Sequence, residues 1–141
     1  MRRVVATGTF DILHPGHLYY LEESRRLGDE LHVIVARDAN VKHKPRPVIP
    51  EEQRLKMVAA LKPVDYARLG DPVDIFRPIR DIRPAVITLG FNQHFNEDQL
   101  MTELAKRDLA AEIVRIGAYS GDALCSSRRI MTEIVSRHWT D

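Results

Sequence analysis

The chain has 141 residues, 44% hydrophobic and 29% charged, a balance typical of one soluble globular domain spanning residues 1–141. The formal net charge is +1, from 21 basic and 20 acidic side chains, so overall charge gives no reason to expect nucleic acid or a membrane as partner. Its one cysteine, Cys125, excludes an internal disulfide and fits the cytoplasm. No apolar run approaches the ~20 residues of a membrane span.

Strands and helices are predicted to alternate from the start of the chain. Val4–Ala6 is a short apolar run that predicts a strand, and a helical pattern runs from near Pro15 to Gly28, with the glycine as C-cap. The continuously apolar run Leu31–Ala36 predicts a second strand covered on both faces. Arg37–Pro50, rich in Lys, Arg and Pro, predicts a loop.

The second half repeats this alternation. A helix begins at Pro50, where proline precedes two acids. Three further strands are predicted at Asp65–Leu69, Ala85–Leu89 and Glu112–Ile116, and three further helices at Ile75–Ile82, Glu97–Leu109 and Ser126–His138. This order predicts an α/β fold, a Rossmann-like, doubly wound, five-stranded parallel sheet with helices on both faces. Ligands of such sheets bind beyond the carboxyl ends of the strands, so the candidate segments are 8–17, 37–50, 90–95 and 117–128.

The first candidate segment reads Gly-Thr-Phe-Asp-Ile-Leu-His-Pro-Gly-His, from Gly8 to His17. A helix start attracts phosphate because its first N–H groups are unpaired and carry the positive end of the dipole. His14 and His17 are three residues apart, near one face of the first turn if Pro15 is the first helical residue. Gly8 is suited to a close backbone approach or an unusual φ. The nucleotide-binding candidates here are Gly8, Thr9, Phe10, His14, Pro15, Gly16 and His17.

Other interpretations of this segment remain open. The alternative interpretation is that His14 and His17 are two surface histidines on an ordinary strand–helix turn. They are also possible zinc ligands, but no third Cys, His or carboxylate has a recognisable spacing from them, so no metal site is predicted. Asp11, beside the helix start, either contacts a ligand hydroxyl or caps the turn.

The segment resembles the signature of the nucleotidyltransferase superfamily of cytidylyltransferases and adenylyltransferases. These enzymes transfer a nucleoside monophosphate from ATP or CTP to a phosphate acceptor and release pyrophosphate. The resemblance implies that His14 and His17 are catalytic residues that bind the triphosphate and stabilise charge in the transition state. It implies that the backbone around Thr9 and Phe10 contacts nucleotide, and it assigns Asp11 to the substrate-phosphate region.

The superfamily also has a basic loop after the second strand, with a lysine that contacts phosphates. Lys44 is the catalytic candidate by position, although the loop alone is as consistent with a solvated positive turn. Relatives carry an arginine in the following helix, and the resemblance implies that Arg54 reaches the substrate phosphates. The alternative for Arg54 is an exposed helical arginine.

The last predicted helix opens with two serines and an arginine. Ser126 is suited to cap the helix and to bind phosphate, and Arg128 to pair with phosphate oxygens as a fork. This resembles the superfamily's second signature, a Ser/Thr-rich helix start followed by a basic residue, so Ser126 and Ser127 are nucleotide-binding candidates and Arg128 a catalytic one.

Two loop residues are candidates for base or ribose contacts. Asn92 follows the fourth strand and Tyr119 the fifth. The alternative for each is that its side chain packs against its own loop.

Four stretches narrow the family: His17–Glu23, Lys44–Arg54, Leu89–Phe95 and Leu124–Ser127. They resemble archaeal-type FAD synthases nearly end to end. That family converts ATP and FMN to FAD and pyrophosphate with a divalent metal, usually Mg²⁺. Glycerol-3-phosphate cytidylyltransferase, the CTP-dependent alternative, shares both signatures, but its strand-four loop typically has acids and tryptophan after the glycine.

The resemblance to FAD synthases implies ATP and FMN as small-molecule substrates, Mg²⁺ bound with ATP, and neither nucleic acid nor a membrane as partner. It admits a homodimer, because related enzymes are often dimers. Two hypotheses from other classes are a non-catalytic nucleotide-binding domain and a flavodoxin-like electron carrier, which shares the layered architecture.

Overall fold

Helices and strands alternate along the chain in the computed structural model, which describes residues 1–42 and 45–139. The strands are β1 (Arg3–Gly8), β2 (Glu30–Val35), β3 (Tyr66–Leu69), β4 (Val86–Leu89) and β5 (Glu112–Arg115). The helices are α1 (Pro15–Arg25), α2 (Glu51–Ala59), α3 (Arg77–Ile82), α4 (Glu97–Ala105) and α5 (Ser127–His138). A short 3₁₀ turn, Asp38–Asn40, follows β2.

The five strands form one parallel sheet in the order β3-β2-β1-β4-β5. The chain winds outward from β1 to β3 and then returns to place β4 on the other side of β1. The boundary between β1 and β4 is therefore the topological switch point, where a crevice for ligands opens at the carboxyl ends of the strands. The predicted α/β, Rossmann-like fold class is confirmed.

Both faces of the sheet are buried, as the strand sequences predict. Val4, Val5 and Ala6 of β1 are each 0% exposed. Val4 and Ala6 belong to one buried cluster and Val5 to another, because successive side chains of a strand point to opposite faces. Helices α1 and α2 contribute side chains to the first cluster, and α3 and α4 to the second, so helices cover both faces of the sheet.

Gly28 does not have the predicted role of helix C-cap. Helix α1 ends at Arg25, and its C-cap, Arg26, keeps right-handed helical geometry. A Cβ at Gly28 would lie 2.5 Å from the carbonyl oxygen of Arg2 and 2.8 Å from Val4 Cγ2. Glycine is required there because the chain passes directly against the start of β1.

Helix α4 is shorter than predicted. It ends at Ala105 rather than at Leu109, and Asp108 has a left-handed φ of 55°. In α5, Ile134 is 41% and Val135 55% exposed. No helix in residues 1–42 and 45–139 is long and apolar enough to cross a membrane.

Candidate active site

The start of α1 is capped by a reciprocal pair of histidines. His14 is the N-cap, and its Nδ1 accepts a hydrogen bond from the backbone N–H of Gly16 at 3.0 Å. His17 returns the interaction, because its Nδ1 accepts from the backbone N–H of His14 at 3.3 Å. Pro15 occupies the first helical turn, where its missing N–H costs no hydrogen bond. Two imidazoles thus perform the capping usually done by Ser or Thr with Glu.

This cap fixes the proton positions on both rings. An Nδ1 that accepts a hydrogen bond carries no proton, so the proton of each neutral imidazole lies on Nε2. Burial lowers the pKa of His14 below its ordinary value of 6.5, which keeps that ring neutral at pH 7. The two ring centroids lie 3.8 Å apart. The first turn of α1 therefore carries two adjacent N–H donors, the chemistry that a phosphate oxygen accepts.

Phe10 has the unusual backbone that the sequence suggested for Gly8. Its φ is 53°, in the left-handed region that favours glycine, and no glycine described by the structure has a positive φ. The Phe10 ring lies over Gly8, where a Cβ would come within 2.8 Å of it, and 5.4 Å from the His17 ring. The close approach expected at Gly8 is present, and its partner is this ring. Such strained backbone is typical of functional turns.

Asp11 holds the loop that precedes α2. Its Oδ2 accepts from the N–H of Val48 at 3.0 Å and its Oδ1 from the N–H of Ile49 at 2.9 Å. Both carboxylate oxygens thus serve the protein backbone rather than a substrate hydroxyl, and a carboxylate repels phosphate. Asp11 therefore links two loops, and its assignment to the substrate-phosphate region stays a prediction.

Arg54 is buried and makes a set of four contacts. Its Nε donates to the Ile49 carbonyl at 2.8 Å, its Nη1 to those of Thr9 at 2.7 Å and Ala36 at 2.8 Å, and its Nη2 to Asp38 Oδ1 at 2.6 Å. The residue is 1% exposed, so the alternative of an exposed helical arginine is wrong. The guanidinium is directed at protein oxygens, and its predicted reach to substrate phosphates stays a prediction. Its hydrogen bond lowers the pKa of the Asp38 carboxyl.

The basic loop after β2 is described only in part. Lys44, the catalytic candidate by position, lies outside the described residues, so its phosphate contact stays a prediction. Arg46 is exposed.

The start of α5 lies against the start of α1. Ser127 Oγ donates to the carbonyl of Ile12 at 3.0 Å, and a Cβ at Gly16 would lie 3.0 Å from the Cys125 carbonyl. Ser126 caps α5 by accepting from the Arg129 N–H at 3.1 Å. Two helix N-termini thus meet at one place, which concentrates partial positive charge there. The expected meeting of the first and last candidate segments is confirmed.

Two other candidates lie beside this junction. The ring of Tyr119 stacks on that of Tyr19 in α1, with centroids 5.2 Å apart. Its hydroxyl donates to Asp122 Oδ2 at 2.7 Å, which raises the pKa of Tyr119. Arg128 is exposed and lines a surface pocket together with Leu124.

The loop after β4, Gly90–Asn96 (the strand-four loop), is ordered by two residues that sequence analysis missed. Gln93 Nε2 donates to the Thr7 carbonyl of β1 at 3.0 Å, and its Oε1 accepts from the Gly90 N–H at 2.6 Å. Arg115, the last residue of β5, donates to the carbonyls of Gly90, Gln93 and Phe95. From the sequence, Arg115 is predicted only to lie in the fifth strand. Asn92, the predicted base contact, is exposed on this loop.

A buried polar cluster lies beneath the switch point. The Tyr20 hydroxyl donates to the Thr88 carbonyl of β4 at 2.8 Å and accepts from the Thr7 N–H of β1 at 3.2 Å. Ser24 Oγ lies 2.7 Å from Thr88 Oγ1. Burial raises the pKa of Tyr20 to about 12, so the hydroxyl keeps its proton and joins α1, β1 and β4. From the sequence, Tyr20 is predicted only to lie in the first helix.

The described residues contain no group of three His, Cys, Asp or Glu side chains that could hold a metal ion. Mg²⁺ needs few protein ligands when nucleotide phosphates and waters supply the rest.

Comparison with known proteins identifies the family of this chain. The model of the cytidylyltransferase-like family matches residues 5–134. The FAD synthase of Methanolacinia petrolearia is 69% identical over 97% of this chain and 93% of its own length. The FAD synthase of Methanosphaerula palustris is 70% identical over 96% of this chain and 88% of its own length.

Among solved structures, a lipopolysaccharide core biosynthesis protein from Thermoplasma volcanium superposes with a TM-score of 0.82 and 45% identity, covering 85% of this chain and 99% of that one. A protein of unknown function from Archaeoglobus fulgidus shares the fold at a TM-score of 0.67 and 18% identity, covering 90% of this chain and 93% of that one. The family model covers most of the chain, and the identity to archaeal FAD synthases is high over nearly its full length. The chain therefore belongs to the cytidylyltransferase-like family and, within it, to the FAD synthases.

Proposed function

We propose that this chain is an FMN adenylyltransferase, which transfers AMP from ATP to the phosphate of FMN and releases FAD and pyrophosphate. The carrying observation is the histidine-capped start of α1, joined to the start of α5 through Ser127 and Ile12. Two imidazole donors and two helix N-termini favour a polyphosphate over a neutral ligand.

The proposed reaction needs no general base. A phosphate oxygen of FMN attacks the α-phosphorus of ATP in line, a new P–O bond forms, and the bond from the α-phosphorus to the bridging oxygen breaks as pyrophosphate leaves. The attacking group is already an anion, so catalysis consists of positioning and of stabilising negative charge. Mg²⁺ held by the phosphates would neutralise part of that charge.

The roles proposed for side chains follow from this chemistry. Nε2–H of His14 and His17 donate to phosphate oxygens as charge develops, and Lys44 and Arg128 add positive charge. The proposed nucleotide-binding residues are Gly8, Thr9, Phe10, Pro15, Gly16, Asn92, Tyr119, Ser126 and Ser127. Arg54 and Asp11 serve the site indirectly by fixing the loops around it. We also propose that residues 1–141 act as a single nucleotidyltransferase domain.

A substrate screen tests this function. The purified chain, with Mg²⁺ and either ATP or CTP, is incubated with FMN or glycerol 3-phosphate, and pyrophosphate and FAD are quantified. We expect FAD and pyrophosphate in equal amounts from ATP and FMN. Consumption of CTP with glycerol 3-phosphate, with FMN ignored, would replace the proposal with the cytidylyltransferase alternative. Nucleotide binding without turnover on either acceptor would indicate a non-catalytic domain.

A further inference from the structure

The strand-four loop is held from two sides of the switch point. On the β1 side, the Gln93 side chain bonds the Thr7 carbonyl and the Gly90 N–H at 3.0 and 2.6 Å. On the β5 side, Arg115 contacts the carbonyl oxygens of Gly90 at 2.8 Å, Gln93 at 3.0 Å and Phe95 at 2.8 Å. Gln93 therefore joins both attachments, one through its side chain and one through its backbone.

The guanidinium of Arg115 suits this task. Its Nε also bonds Glu97 Oε1 at 2.6 Å, at the first residue of α4. Four of its five N–H groups are thus committed in one plane. A lysine has one point charge on a flexible stem and cannot hold three carbonyls in fixed directions.

These contacts leave three exposed side chains of the strand-four loop available to bind a ligand. Phe91 is 58% and Phe95 42% exposed, and Asn92 is exposed between them. Aromatic rings and an amide are groups that stack on and hydrogen-bond a flat heteroaromatic ring. A loop without its attachments would have to be ordered at each binding event, which weakens affinity.

We propose that Arg115 is a positioning residue that preorganises the strand-four loop to bind the flat heteroaromatic ring of a substrate, either adenine or isoalloxazine. The proposal rests on the adenylyltransferase function, because that reaction supplies the two flat rings. Arg115 acts through the loop and touches no reacting atom.

Steady-state kinetics of Arg115→Met and Arg115→Lys tests this role. The matched control is Arg107→Met. Arg107 has the same 30% side-chain exposure and also pairs with a glutamate of α4, Glu103, but its guanidinium bonds Glu103 and lies over the Phe76 ring. We expect Arg115→Met to raise KM for one of the two substrates about tenfold with less than about a threefold change in kcat, the pattern of lost uniform binding. We expect the KM and the kcat of Arg107→Met to stay within about twofold of the parent values.

The arms of the experiment separate the alternatives. A KM increase for ATP alone assigns the loop to adenine, and an increase for FMN alone assigns it to isoalloxazine. We expect Arg115→Lys to give an intermediate KM, and this variant carries the test if Arg115→Met does not fold. Unchanged KM values in Arg115→Met, effects no larger than those of Arg107→Met, or parental KM in Arg115→Lys would each overturn the proposal.

Failure of the adenylyltransferase function itself is distinguishable from failure of the positioning role. The unmutated chain would then form no FAD, whatever the variants do. Calorimetric titration of ATP and of FMN into the parent and into Arg115→Met still reports the role of the loop, because it requires no turnover. A weaker Kd for one ligand in the variant supports positioning, and equal Kd values for both contradict it.

Discussion

Arg54 and Arg115 lie in two different regions around the switch point and make the same kind of contacts. Each guanidinium bonds three backbone carbonyls and one carboxylate. They differ in burial, because the Arg54 side chain is 0% exposed and that of Arg115 is 30% exposed. Water can replace the contacts of Arg115 more readily than those of Arg54, whose guanidinium is buried. Arg54 thus belongs to the folded framework, whereas the role proposed for Arg115 is to position the strand-four loop.

The largest expected effect comes from Arg54→Met. It removes a buried cation and leaves the Thr9 and Ala36 carbonyls without their donor, so we expect unfolding free energy to fall by about 3–5 kcal/mol. Urea denaturation measures this. Arg68→Met, which breaks an exposed pair with Asp81, is the control and should cost about 0–1 kcal/mol. A stable but inactive Arg54→Met protein would contradict the framework role and favour direct phosphate contact.

Arg115→Met should destabilise the protein much less than Arg54→Met. Its contacts are open to solvent, so we expect a loss of about 1 kcal/mol in unfolding free energy, measured in the same urea titration. A loss as large as that of Arg54→Met would show that burial does not separate the two regions.

Lower pH should weaken the histidine cap at the start of α1. The pKa of His14 is below its ordinary value because the ring is partly buried, so between the two values the unfolded state binds more protons. Stability from this group is therefore complete above about pH 6.5 and falls as pH drops through that window. We expect His14→Gln to have a flatter dependence of unfolding free energy on pH than the parent. Parallel pH profiles for the two proteins would contradict a neutral histidine cap.

An effect as small as that of Arg115→Met is expected for Ser127→Ala. The variant removes the hydrogen bond from Ser127 Oγ to the Ile12 carbonyl, so unfolding free energy should fall by about 1 kcal/mol. Thr102→Ala, which loses a hydrogen bond within α4 to the Asp98 carbonyl, is the control for stability. KM for ATP should rise in Ser127→Ala and not in Thr102→Ala, because only Ser127 joins the two helix starts. Equal KM values would remove the junction from nucleotide binding.

The sheet and the meeting of candidate segments were predictable because they depend on local pattern and on the geometry of parallel strands. Apolar runs such as Val4–Ala6 identify strands, and proline before an acidic turn at Pro50 identifies a helix start. The roles of Arg54 and Arg115 were not predictable, because a charged residue in a helix or an edge strand gives no sign of which carbonyls lie beside it. The positive φ at Phe10 was not predictable either, because glycine is the usual residue for that conformation and Gly8 lies two residues before Phe10.

The central claim is that His17 provides an Nε2–H donor to the triphosphate in addition to capping α1. His17→Asn tests it most directly, because an asparagine side-chain oxygen can replace Nδ1 as acceptor from the His14 N–H, whereas its amide N–H groups end short of the position of Nε2. With ATP, FMN and Mg²⁺ as substrates, we predict a kcat lower by about 10²–10³-fold and an unfolding free energy within about 0.5 kcal/mol of the parent. Parental kcat in a stably folded His17→Asn protein would contradict the claim.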